Sequence, residues 1–115
     1  MSDSKKKALL AREIAYQKKA SDMILLDMRK VTAFTDYFLI CNGESDTQVR
    51  AIAETITSEM KKRKVKVWHV AGYEEAKWTL LDYGSVVIHI FQPEVRQFYQ
   101  LEKLWADAPR LGLKG

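Results

Sequence analysis

The stretch that most restricts how this chain can fold runs from Trp78 to Phe91. Trp78–Tyr83 and Val86–Phe91 are β-branched, aromatic and aliphatic runs of strand length, with Gly84-Ser85 between them as a tight-turn signal. Two strands joined this closely form a hairpin, and a hairpin exposes two faces that other elements must cover. Pro93-Glu94 follows at once and opens a last helix, since proline is tolerated in a helix's first turn. Phe98, Leu101, Leu104 and Trp105 supply that helix's apolar content, with Phe98 and Trp105 expected in the core.

Upstream, Ser4 to Lys19 reads as an amphipathic helix, with Leu10, Ala11, Ile14 and Ala15 on one face and lysines on the other. Met23–Leu26 and Asp36–Cys41 are short apolar strands, the second stopped by Asn42-Gly43. Ser45 and Gln48 form a capping-box pattern ahead of Val49, Ile52, Ala53, Ile56 and Met60 at helical spacing. That helix runs into Lys61-Lys62-Arg63-Lys64, positive charge at the negative end of its dipole. Val65, Val67 and Val70 mark a further strand. The order predicts an α/β fold, a mixed sheet of about five strands covered by helices. Residues 1–105 read as one domain, and 106–115 as a patternless, flexible tail.

At 115 residues there is room for one core. No apolar run is long enough to span a membrane, and the lysine-rich start lacks the apolar region of a secretory signal. A single cysteine, Cys41, leaves no intrachain disulfide and fits a reducing cytoplasm, and it reads as an inert buried thiol. The net charge of +4 permits an acidic partner such as RNA without identifying one.

Catalytic readings are poor. A nucleotidyltransferase needs a Gly-Ser type turn followed by paired carboxylates that seat Mg²⁺. Gly43-Glu44-Ser45 resembles the turn weakly, but no Asp-x-Asp/Glu pair lies between Asp46 and Ala71, and Asp22 and Asp27 are too far apart along one strand. No metal site or cofactor is expected. Asp82, Ser85 and His89 lack a nucleophile-bearing turn, so His89 reads as a half-buried packing residue.

The strings TDYFLICNGESDTQVRAIAETI, WTLLDYGSVVIHIF and VRQFYQLEKLWADAP resemble the ribosomal silencing factor, or Iojap-like, family over roughly Ala8 to Pro109. The resemblance implies a nucleotidyltransferase-like fold without the catalytic carboxylates and without activity. It also implies a translational repressor that binds ribosomal protein uL14 on the large subunit, blocks small-subunit joining and slows translation under nutrient limitation. One departure is visible: Ala71-Gly72 stands where the family pattern leads one to expect Glu-Gly.

Tryptophan, tyrosine and arginine dominate many protein interfaces, which directs attention to the aromatic C-terminal third. With the resemblance added, the partner-binding candidates are Trp78 and, along the same strand, Leu81, Asp82 and Tyr83, followed by Arg96 and Tyr99 on the last helix. For Arg96 a salt bridge to Glu94 or Glu102 is an equal alternative. Lys61 to Lys64 are a solvated helix end or a peripheral rRNA contact. A small RNA-binding module acting through rRNA is the competing function, and exposed strand edges make a homodimer plausible.

Overall fold

A computed structural model describes residues 3–112. The elements are α1 (Asp3–Gln17), β1 (Ser21–Asp27), β2 (Tyr37–Asn42), α2 (Asp46–Lys62), β3 (His69–Ala71), β4 (Trp78–Asp82), β5 (Val86–Phe91), α3 (Pro93–Tyr99), α4 (Leu101–Leu104) and β6 (Arg110–Leu111). The six strands form one sheet in the order β3-β4-β5-β2-β1-β6, parallel only between β2 and β5. The mixed α/β class is as expected, with six strands rather than about five.

α1 and α2 cover one face. Ala8, Ala11 and Ala15 are fully buried on α1, where short side chains bring the helix close to Leu25, Leu39, Cys41, Ile88 and Ile90. α2 lays Val49, Ile52, Ile56 and Met60 on the same core. Burial pushes the Cys41 thiol up to about 12, which keeps it protonated and unreactive at neutral pH.

The helix ends follow local rules with one twist. Ser45 Oγ accepts from Gln48 N at 3.1 Å, as a capping box requires. The return arm goes one residue further back, Glu44 N donating to Gln48 Oε1 at 2.6 Å. Both long helices stop in Schellman-type turns: Ala20 N donates to Ala15 O and Val65 N to Met60 O, with Lys19 (φ 64) and Lys64 (φ 63) in the left-handed position usually given to glycine.

The other face is covered less completely. Leu26, Met28, Ile40, Phe91 and Ala108 form a smaller cluster under Val95, Leu101 and Trp105. The expected single last helix is two pieces, because Gln100 adopts a left-handed conformation (φ 48, ψ 51). Phe98 is 81% exposed, which corrects its expected place in the core: α3 is so short that its sheet-facing side is filled by Val95 and Arg96. Trp105 does join the cluster, edge-on to Phe38 at 6.1 Å.

Two further expectations are corrected. The strand expected from Val65 pairs only over His69–Ala71, while Val65 and Val67 pack against the helix-covered core ahead of it. The tail expected to be patternless from Ala106 instead buries Ala108 and pairs Arg110 and Leu111 with Leu26 and Leu25. Asp27 N donating to Pro109 O at 2.8 Å and Arg12 Nη1 donating to Gly112 O at 2.6 Å hold it there. The last three residues of that tail lie outside the described residues.

Candidate functional site

Strand alternation decides which side chains of β4 are available. Trp78, Leu80 and Asp82 point to the less covered face and are half-buried, while Thr79 and Leu81 point under the helices and are fully buried. Tyr83, continuing the inward set, is buried as well. Leu81 and Tyr83 therefore cannot meet a partner as the chain stands; they support the strand from beneath, and the contact expected of them is corrected. Leu80 takes their place on the outward face. Period-two alternation from Trp78 assigns Leu80 to that face.

Trp78 is held rather than loosely displayed. Its ring stacks on Phe91 at 4.7 Å and leans on Tyr99 at 5.0 Å. Its indole Nε1–H donates to His89 Nδ1 at 3.1 Å. Tyr99, more than half exposed, carries Phe98 edge-on at 5.0 Å, so Trp78, Tyr99 and Phe98 form a continuous aromatic ridge. Asp82 closes the other end of the strand, its Oδ1 accepting from Gly84 N at 2.7 Å across the hairpin turn. On the neighbouring edge strand, His69 and Ala71 lie opposite Asp82 and Leu80 and are exposed. Ala71 thus presents a methyl where the family pattern suggested a carboxylate. Gly72 beside it is required: at φ +75 an added Cβ would sit 2.1 Å from Trp78 O.

Arg96 has a different role from the one expected. It is buried, with Nη1 donating to Asp22 O at 2.5 Å and Asn42 Oδ1 at 2.9 Å, and Nε donating to Glu102 Oε2 at 3.1 Å. The salt-bridge alternative to Glu102 is the one observed. Arg96 ties α3, α4, β1 and β2 together and does not share a free surface with Tyr99.

His89 is buried beneath the ridge between Trp78 and Phe38. Because Nδ1 accepts from Trp78, the neutral ring carries its proton on Nε2. Burial lowers its pKa from 6.5 to about 4. The unfolded chain therefore binds a proton that the folded chain refuses between about pH 6.5 and 4. Stability contributed by neutral His89 is complete above pH 6.5 and falls through that window, by about 3 kcal/mol in all. Melting curves at pH 7.0 and 4.5 should show this loss, and His89→Gln should shrink it clearly. An unchanged difference between the two pH values in the variant would assign the loss to other groups.

Among the described residues, no three His, Cys, Asp or Glu side chains gather in a way that could hold a metal ion. No helix among them is long and apolar enough to cross a membrane.

Comparison with known proteins gives one consistent result. A family model described as "Ribosomal silencing factor during starvation" matches residues 1–115. The chain is 47% identical over 92 residues to ribosomal silencing factor RsfS of Bacillus subtilis, covering 80% of this chain and 78% of that protein. It is 33% identical over 92 residues to the mouse protein named for mitochondrial assembly of the ribosomal large subunit, covering 77% of this chain and 40% of that one. The crystal structure of protein CV0518 from Chromobacterium violaceum superposes with a TM-score of 0.88 at 32% identity, covering 91% of this chain and 88% of that one.

Proposed function

This chain belongs to the ribosomal silencing factor family, and on that premise we propose that it represses translation by binding ribosomal protein uL14 on the large subunit and excluding the small subunit. The action needs occupancy and no chemistry, in keeping with the regulatory names of its relatives. The setting is the cytoplasm, where ribosomal subunits meet. Nutrient limitation is the condition under which repression operates.

The observation that carries the reading is the outward side of β4. Trp78 is half-exposed yet fixed by Phe91, Tyr99 and His89, with Leu80 and Asp82 in line with it. An aromatic side chain already held in place loses little freedom on binding, which is how a few anchors come to dominate an interface. The Phe98–Tyr99 edge extends the apolar area, and an interface of roughly 1,200–2,000 Å² in total is enough for a stable complex. The free edge of β3, three residues long, is where a second copy would pair in a homodimer.

Purified chain should co-sediment with large subunits and lower the fraction of joined ribosomes when both subunits are mixed. It should also bind isolated uL14 with a weak dependence on salt, unlike attachment through rRNA alone. Joined ribosomes that persist at saturating chain would reject the reading.

A further inference from the structure

We propose that the segment Lys61–Trp68, with the last turns of α2, is a binding site for single-stranded RNA, separate from the β4 surface. Four observations combine. The first is the distribution of charge. Residues 59–66 hold five Lys or Arg against Glu59, a formal +4 that equals the net charge of the whole chain. The positive charge is thus concentrated where α2 ends and the chain returns to the sheet.

The second observation is a row. Val65 and Val67 pack inward on the core, and Lys66 and Trp68, which alternate with them, face out; Lys64, left-handed at φ 63, is exposed at the turn just before them. In extended backbone, alternate side chains recur at roughly 6.6 Å, which sets Lys66 beside Trp68. Lys64 at the turn and Lys66 on the row offer two cations to the phosphates of a strand that passes Trp68. Trp68 N donates to Asp82 O at 2.8 Å, which tethers the row to the sheet.

The third is Trp68 itself. Its ring is 77% exposed although its outer edge lies against Gly84, where an added Cβ would come within 2.6 Å. One edge is seated on glycine and the ring remains largely open. Bases stack on such platforms regardless of sequence. The fourth is a groove lined by Thr57, Ser58, Lys61 and Lys66, which offers hydroxyls beside cations. Glu54 also lines it, and its carboxylate accepts from Tyr73 Oη. Glu59 is the ion-pair partner of Lys62 and Arg63, and neither of those residues belongs to the row.

Lysines on phosphates, an aromatic for one base and hydroxyls within reach of a 2′-OH describe an RNA strand better than a membrane surface, which would leave the groove unused. The choice of RNA rests on the ribosomal reading above.

The test uses the full chain and a fluorescein-labelled twelve-nucleotide oligouridylate, with anisotropy read from 50 to 200 mM salt. Three phosphate contacts predict a log–log salt slope of about −2. The double variant Lys64→Glu, Lys66→Glu should bind at least tenfold more weakly with a shallower slope. Trp68→Ala should lose about tenfold, and Trp68→Phe should recover most of it. All of these variants should keep their melting temperature and their binding to isolated uL14, so a loss confined to RNA binding supports this site and leaves the first untouched. No binding by the unmodified chain at 50 mM salt would overturn it. So would RNA binding that Trp68→Ala leaves unchanged and that heparin or anionic vesicles match.

Discussion

Arg96→Ala is expected to destabilise the fold by about 3 kcal/mol, lowering the melting temperature by roughly 12 °C. The guanidinium is buried and forms three hydrogen bonds to three separate elements. Truncation leaves Asn42 Oδ1, the carbonyl of Asp22 and the Glu102 carboxylate without that donor, and an unpaired buried group costs more than its lost bond was worth. Glu102 keeps some exposure, which places the expectation at the low end of values for broken buried pairs. Removing both charges is gentler. Arg96→Met with Glu102→Leu should recover much of the loss, because two apolar side chains require no partners. A single variant that melts within 2 °C of the parent would show that Arg96 is not the tie described above.

The second large effect concerns Trp78 and Leu81 together. Trp78→Ala should weaken uL14 binding by at least about 30-fold, the scale of an interface anchor. Because the ring also stacks on Phe91 and bonds His89, stability should fall too, by about 1–2 kcal/mol. Leu81→Ala should do the opposite. Its side chain is fully buried under the helices, so a cavity costs about 3 kcal/mol, while binding below the lowered melting temperature stays near that of the parent. The crossed pattern separates the two faces of one strand. If Leu81→Ala abolishes binding at a temperature where it is folded, or Trp78→Ala leaves binding intact, the outward face of β4 is not the contact.

What was legible in the sequence was local. The capping box at Ser45 and Gln48 works as its spacing indicated, and the hairpin turns at Gly84-Ser85. The misses arose where distant parts of the chain decide. Arg96 is buried by Asp22 and Asn42, far upstream, which no helical pattern reveals. β6 is two residues long and exists only because β1 offers an edge. Phe98 fits a core position only on one long last helix; the left-handed Gln100 ends α3 a residue after it. Leu81 and Tyr83 were a different kind of miss. Period-two alternation from Trp78 already assigned them inward, and the aromatic richness of the stretch overrode it.

The sheet order carries a consequence for how this chain folds. The strand β6 lies beside β1, so the two are joined in space although almost the whole described sequence separates them. Until Arg110 and Leu111 dock, β1 has an uncovered backbone edge and Arg12 has no carbonyl of Gly112 to bind. Contacts across so long a stretch of chain carry the greatest loop-closure cost, so closing this edge is expected to come late in folding, after the β3-β4-β5-β2-β1 part has formed.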